Sequence, residues 1–205
     1  MSSECNVSDV MGSVERFYIE RIEEIQKISQ QNNVGGQIRA ASGRLVEDLI
    51  KETFDQVGSY YPARRVEIKK GETDRITCTN AKGNSIGMQV DKHCYIDGKL
   101  KAIMEAKSYL DRCYMIRASD DFKKIKEHVS SPPRALIVAI ENSVAEESYN
   151  FIMDEGHCNE VFFLADGKRS STKPIWKKEY YKPLNPEKLR AFVEVVDNLF
   201  AEGTH

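Results

Sequence analysis

The chain has 205 residues, 40% of them hydrophobic and 30% charged, which is an ordinary globular composition and long enough for one sizeable domain. No run of roughly eighteen apolar residues occurs, which excludes a membrane-spanning helix and a membrane partner, and the first residues lack the apolar core of a secretion signal. The formal net charge of −2 is lower than that of most proteins that bind DNA, although basic residues can still gather on one face.

The cysteines indicate a reducing compartment. There are five of them, an odd number, and they form no C-x-x-C pair. Reduced thiols in a prokaryotic cytoplasm fit this usage better than a disulfide framework. A zinc site is not indicated, because His157 and Cys158 are adjacent and His93 and Cys94 would alternate faces on a strand.

Two amphipathic helices are predicted at the start of the chain. Apolar residues recur at three- and four-residue spacings from Val14 to Ile28, which predicts an N-terminal helix over 11–30. A second helix, over 37–56, carries Ile38, Ala41, Leu45 and Leu49 on one stripe. Residues 32–36, which end in two glycines, separate the two helices.

The middle of the chain changes to the two-residue period of strands. Residues 65–69, 75–79 and 85–96 read as extended, and Asp97–Gly98 is a strong hairpin-turn signal. After Lys107 we expect a helical region, with Ser119–Asp121 as a cap ahead of Phe122.

The last third alternates strands and helices. Continuous apolar runs at 135–140 and 161–165 predict buried strands, and 144–153 predicts a helix between them. Asn185 as N-cap and Pro186 at the first helical position begin a final helix over 185–202. The element order implies an α/β (mixed α+β) fold, in which helices flank a central mixed β-sheet.

The hairpin at Asp97–Gly98 carries the most informative charges. A strict two-residue loop would place Asp91 opposite Met104, whereas a three-residue loop over 97–99 would place Asp91 opposite Glu105. We favour the second register. It brings two carboxylates within cross-strand distance, and Lys107 shares a face with Glu105 because strand side chains repeat every two residues.

Two adjacent carboxylates and one lysine indicate a site for a divalent metal beside a phosphate. The carboxylates repel each other unless a cation lies between them, and their hard oxygen atoms suit Mg²⁺. The alternative is a solvated face with a surface salt bridge. Glu47, on the second helix, is a candidate third carboxylate, or else an ordinary acid of the helix surface. A rival Glu-x-Lys at 67–69, with Asp55 upstream, is disfavoured because no tight hairpin joins its parts.

These residues resemble the PD-(D/E)xK nuclease superfamily, in particular type II restriction endonucleases. The resemblance rests on the helix around Glu47, on Asp91 followed by Glu105-Ala106-Lys107, and on the buried strand 135–140. Val90 departs from the pattern, since proline precedes the aspartate in the superfamily motif.

The resemblance implies a single nuclease domain over 1–205 with a catalytic core at about 37–165. Asp91, Glu105, the carbonyl of Ala106 and Glu47 would then ligate Mg²⁺. Lys107 would orient or deprotonate the attacking water, and cleavage would leave 5′-phosphates.

Two stretches are candidates for DNA contact. One is a basic, hydroxyl-rich loop with the only tryptophan, comprising Lys168, Arg169, Ser170, Ser171, Thr172, Lys173, Trp176 and Lys177. The other follows the catalytic lysine and comprises Tyr109, Arg112 and Arg117. A solvated loop and a core-packing helix are the respective alternatives.

Three functions remain open. The favoured one is a Mg²⁺-dependent homodimer that cuts double-stranded DNA at a short palindrome, with a cognate DNA methyltransferase in the host. A structure-specific or repair nuclease would use the same fold and the same chemistry. A non-catalytic DNA-binding protein would keep the fold and use the acids structurally.

Overall fold

A central sheet with helices on both faces organises the chain. The computed structural model describes residues 5–31, 35–170 and 172–202, except the side chain of Arg39. In chain order its elements are α1 (Val7–Ser29), α2 (Gly35–Gly58), β1 (Val66–Lys70), β2 (Ile76–Thr79), β3 (Ser85–Met88), β4 (Lys92–Ile96), β5 (Lys99–Leu110), α3 (Arg112–His128), β6 (Arg134–Asn142), α4 (Glu146–Asp154), β7 (Glu160–Phe163) and α5 (Pro186–Ala201), with one 3₁₀ turn at Lys178–Tyr180. No helix within these ranges is long and apolar enough to cross a bilayer.

The sheet has five strands in the order β1-β4-β5-β6-β7. The first three pair antiparallel, and β5, β6 and β7 pair parallel. Strands β2 and β3 form a separate antiparallel hairpin. The predicted mixed α/β fold with a flanked mixed sheet is therefore confirmed.

Alternate residues of β5 belong to opposite hydrophobic clusters, as the pleat of a strand requires. Ala102, Met104 and Ala106 face the cluster that α1, α2 and α5 complete. Ile103 faces the other cluster, to which α3 and α4 contribute. Glu105 and Lys107 share the face of Ile103, so they lie on the side of the sheet that α3 covers.

The last helix begins where the sequence predicts. Asn185 is the N-cap and accepts hydrogen bonds from the backbone N–H groups of Glu187 (2.9 Å) and Lys188 (3.1 Å). Pro186 occupies the first turn, where its missing N–H has no intrahelical partner to lose.

The prediction for the segment after Lys107 is wrong in two respects. Strand β5 continues to Leu110, so Tyr109 lies on a strand. The N-cap of α3 is Asp111, which accepts a hydrogen bond from the backbone N–H of Tyr114 at 2.9 Å. Residues 119–121 therefore lie inside α3 and do not cap it, because the earlier aspartate already satisfies the free N–H groups of the first turn.

The hairpin turn also differs from the prediction, although the expected register is present. The loop has two residues, Asp97 (φ 52°) and Gly98 (φ 75°), not three. A β-bulge at Lys101 then shifts the pairing between Cys94 and Tyr95. Beyond the bulge Lys92 pairs with Met104, and continuing that register by one residue brings Asp91 opposite Glu105. The bulge inserts the extra residue that the longer loop was expected to supply.

Candidate active site

An open cleft lies where β4 begins and β5 runs on past it. Its volume is about 480 Å³, and α2 and α3 form its sides. The predicted residues Glu47, Asp91, Glu105 and Lys107 all line it, as does Arg117. The structure therefore brings the four predicted catalytic residues to one cavity.

The backbone before β4 is held in place by a close approach of two loops. A Cβ atom on Gly71 would lie 1.8 Å from the carbonyl oxygen of Val90, so only glycine fits there. The N–H of Gly71 lies 3.4 Å from the carbonyl oxygen of Asp91. The buried side chain of Val90 anchors the same segment in the core beneath α3. These contacts fix the position from which Asp91 reaches β5.

Asp91 and Lys107 form the centre of the site. The carboxylate of Asp91 accepts a hydrogen bond from the backbone N–H of Ala106 at 2.8 Å. The Lys107 ammonium lies 2.7 Å from Asp91 Oδ2 and 2.5 Å from Glu105 Oε2. Only 24% of the Lys107 side chain and 12% of the Glu105 side chain are exposed. One cation thus bridges two largely buried carboxylates.

Burial and neighbouring charges shift the pKa values of Asp91 and Glu105 in opposite directions. Burial, and then the neighbouring negative charge of Asp91, raise the pKa of Glu105 to about 7. Burial also acts on Asp91, but the Lys107 ammonium and the Ala106 N–H outweigh it and lower the pKa of that carboxyl. Burial would lower the pKa of Lys107, yet the two carboxylates raise it. Lys107 therefore remains an ammonium.

The residues at the centre fit a hard divalent cation. Asp91 and Glu105 supply carboxylate oxygens, and the Lys107 ammonium already stands between them as a positive charge. The N–H of Ala106 points toward Asp91, and in an extended residue the carbonyl points to the same side as the N–H. Two carboxylates and one carbonyl are the oxygen ligands that Mg²⁺ prefers. Among the described residues no group of three or more His, Cys, Asp or Glu side chains is arranged to hold a metal ion.

Glu47 lines the cleft but has a partner of its own. Its carboxylate lies 2.5 Å from the Nζ atom of Lys92, whose side chain is only 6% exposed. Lys92 lies next to Asp91 in the chain and faces α2, on the opposite side of the sheet from Glu105. The ion pair joins α2 to the start of β4, so Glu47 stands beside the two-carboxylate centre.

The predicted DNA-contact residues have different surroundings. Arg117 lines the cleft, and Arg112 is exposed at the start of α3. The Arg169 guanidinium lies 3.3 Å from the centre of the Tyr109 ring. In the basic loop five side chains are exposed, namely those of Lys168, Arg169, Thr172, Lys173 and Lys177. Trp176 packs partly buried against the core, Ser170 is half-buried with its Oγ 3.1 Å from that of Thr172, and Ser171 lies outside the described residues.

Sequence reasoning missed several polar residues of the cleft, among them Arg44, Lys70, Glu72 and Gln89. Arg44 lies one turn before Glu47 on α2, and that spacing was a usable signal because residues three apart share a helix face. Lys70 and Gln89 carry no comparable signal. Lys70 ends β1 and Gln89 follows β3, and only the folded chain brings these positions together.

Comparison with known proteins gives one informative similarity. No family model matches the chain. The chain is 23% identical to the type II restriction enzyme DdeI of Desulfomicrobium norvegicum, with 82% of this chain aligned to 84% of that protein. Since the alignment covers most of both chains, the likeness is to a restriction endonuclease as a whole and extends well beyond the hairpin.

Proposed function

We propose that the protein is a Mg²⁺-dependent endonuclease of the PD-(D/E)xK type that cuts double-stranded DNA at a short palindromic sequence. The observation that carries this proposal is the meeting of Asp91, Glu105 and Lys107 in one cleft. The similarity to a type II restriction enzyme supports the choice of DNA as substrate. The products would carry 5′-phosphates and 3′-hydroxyls.

The proposal assigns the metal to the carboxylates of Asp91 and Glu105 and the carbonyl of Ala106. A bound divalent cation polarises a phosphoryl oxygen and lowers the pKa of a bound water. Asp91 is ionised across the physiological range because its pKa is lowered, whereas the raised pKa of Glu105 favours its protonated form at lower pH. In the metal-free site Glu105 is therefore the carboxyl group that takes up a proton first as the pH falls.

Lys107 acts in this proposal as a donor. Its pKa is raised by the two carboxylates, so the ammonium holds its proton and does not deprotonate water by itself. Its Nζ atom lies at the centre of the site, where it donates hydrogen bonds to the attacking water and to the phosphate oxygens as negative charge develops there. Arg44, Lys70 and Arg117 line the same cleft and provide positive charge for the flanking phosphates.

The proposal includes a homodimer. Two symmetry-related sites cut the two strands of a palindrome at equivalent positions. A host that carries such an enzyme protects its own sites, which implies a cognate DNA methyltransferase.

Plasmid cleavage tests the function. The protein is incubated with supercoiled plasmid in Mg²⁺ and, separately, in EDTA, and the products are resolved by size. We expect discrete bands with Mg²⁺ and none with EDTA. Lys107→Ala removes the cation between the two carboxylates, and we expect cleavage to fall by at least about a hundredfold.

Lys69→Ala is the matched control, because Lys69 is also the lysine of a Glu-x-Lys on the same sheet but is more exposed. It should cut within about twofold of the native rate. A smear, or cutting limited to branched DNA, would favour the structure-specific nuclease. Intact plasmid in every condition would reject both nuclease functions and leave the DNA-binding protein.

A further inference from the structure

A second cavity lies behind the catalytic cleft, between α1, α2, the end of β5 and residues 169–170 and 174–176. Its volume is about 320 Å³, and we call it the Trp176 pocket. Apolar side chains of Ile22, Ile25 and Leu45 form much of its wall, together with the aromatic rings of Tyr109 and Trp176. This volume is near the lower limit of small-ligand sites, about 300–1,000 Å³, so the pocket suits one planar ring system.

The pocket adjoins the catalytic cleft. Gly43, Ser108 and Tyr109 line it and also line the opening that contains Asp91 and Lys107. Ser108 directly follows Lys107 on β5. A nucleotide whose phosphate lies at Lys107 therefore has the pocket within reach of its own base.

Two buried polar side chains line this apolar pocket. Ser42 is only 7% exposed, and its Oγ atom is buried without a hydrogen-bond partner among the residues that the structure describes. Glu141 uses one carboxylate oxygen for Lys182, at 2.5 Å. A carboxylate can also accept a hydrogen bond from an amino group at the edge of a nucleobase.

A planar group already stacks on the aromatic ring of Tyr109. The Arg169 guanidinium lies 3.3 Å from the ring centre, which is a stacking distance. A nucleobase is planar as well, and stacking on an aromatic ring contributes about 1–3 kcal/mol per base. Arg169 is exposed, so it can leave this position at small cost.

The frame around the pocket is fixed before any ligand arrives. Lys182 donates to Glu141 and also to the carbonyl of Lys168, at 3.0 Å. The N–H of Arg169 donates to the carbonyl of Asn142 at 2.9 Å. These bonds hold residues on either side of Trp176 in the chain, Arg169 and Lys182, against the end of β6.

We propose that the Trp176 pocket binds a single nucleobase that is rotated out of the DNA helix beside the cleaved phosphate. The proposal rests on the proposed function for its substrate and goes beyond it in assigning a base-binding site. In a paired duplex the faces of a base are covered by its neighbours, so a stacking pocket beside the cleft can be filled only by an extruded base. Tyr109 would stack on one face of that base.

Trp176 makes the pocket directly measurable, because it is the only tryptophan in the chain. Its fluorescence is titrated with each of the four deoxynucleoside monophosphates, in EDTA. We expect saturable quenching in the millimolar range by at least one of them. Absence of saturable quenching by all four would overturn the proposal.

A matched pair of variants separates the pocket from general effects on stability. Tyr109→Leu removes the ring on which the base would stack, and it should weaken the nucleotide affinity at least threefold. Tyr149→Leu removes another partly buried tyrosine ring, which packs against Phe163 beside a different cavity. It should leave the affinity unchanged, and equal affinity in both variants would contradict the role of Tyr109.

Extrusion itself is tested with 2-aminopurine placed at successive positions of a duplex that carries the cleaved sequence. We expect its fluorescence to rise severalfold at one position next to the cut when the protein binds in EDTA. No rise at any position would overturn extrusion. Cleavage of DNA without quenching of Trp176 would support the nuclease function and reject the base-binding pocket. Quenching without cleavage would support the pocket and reject the nuclease function.

Discussion

Two Glu-x-Lys sequences lie on the same face of the same sheet, and only one of them forms a cleft site. Lys107 lies within 2.7 Å of both Asp91 and Glu105, and those side chains are largely buried. Lys69 lies 3.6 Å from Glu67 and 3.7 Å from Asp74, and it is 41% exposed. Each lysine therefore lies near two acids. Lys107 and Glu105 are more buried than Lys69 and Glu67, whereas Asp91 (30% exposed) and Asp74 (25% exposed) are similar.

The partners of the two aspartates explain the difference. Asp74 accepts a hydrogen bond from the Tyr95 hydroxyl at 2.7 Å and lies 2.9 Å from Nδ1 of the fully buried His93. Burial would raise its pKa, but these bonds and Lys69 lower it. Asp74 thus ties the loop before β2 to the sheet. Asp91 instead accepts hydrogen bonds from the backbone N–H of Ala106 and from Lys107, and its carboxylate lines the cleft. The choice of hydrogen-bond partners therefore distinguishes the two aspartates.

The largest expected contrast concerns the two aspartates. Asp91→Asn removes a carboxylate from the proposed metal site, so plasmid cleavage should fall by at least about a hundredfold. Asp74→Asn weakens the tether to His93 and Tyr95, which should lower the melting temperature by roughly 3 °C. Its cleavage rate, measured well below that temperature, should stay within about threefold of native. Equal loss of cleavage in both variants would contradict the assignment of Asp91 to the active site and of Asp74 to a structural role.

A smaller contrast concerns stability as a function of pH. The folded pKa of Glu105 is raised to about 7 from an ordinary value of 4.5, so the folded state holds a proton that the unfolded state loses between these values. Stability therefore falls as the pH rises through this window, and Glu105→Gln lacks that fall. We expect this effect in the difference between the melting temperature of Glu105→Gln and that of the native protein. Without metal, this difference should be roughly 5 °C more positive at about pH 8 than at about pH 5.

Glu67→Gln is the control for the pH contrast, because Glu67 is 36% exposed and its carboxylate pairs with Arg65 at 2.8 Å. The difference between Glu67→Gln and the native protein should not change with pH over the same range. If the melting-temperature difference between Glu105→Gln and the native protein is also independent of pH, ionisation of Glu105 does not destabilise the folded state.

The smallest expected effect is stabilisation by metal. At a Mg²⁺ concentration about ten times the dissociation constant, binding to the folded state should raise the native melting temperature by roughly 3 °C at about pH 8. Asp74→Asn should show the same rise, whereas Asp91→Asn should show little. A full rise in Asp91→Asn would place the metal elsewhere. The readout does not depend on cleavage, so it tests the metal site separately from the reaction.

Much of the fold was readable from local signals. The three- to four-residue period of apolar side chains predicted α1 and α2, and the continuous run 135–140 predicted β6. Asn185 and Pro186 marked the start of α5, because capping needs only the residues of one helical turn. The predicted cap of α3 was wrong. Strand β5 runs on to Leu110 and Asp111 caps the helix, so Ser119–Asp121 lie within α3.

The sequence by itself determined which residues carry the proposed chemistry, namely Asp91, Glu105 and Lys107, because their charges and their positions around Asp97–Gly98 are local properties. Only the tertiary structure decided the bulge at Lys101 and the bond from Lys92 to Glu47. It alone formed the pocket around Trp176, whose walls come from both ends of the chain. The reason is physical: these features depend on packing between segments far apart in sequence, and no local pattern records which distant side chain fills a given space.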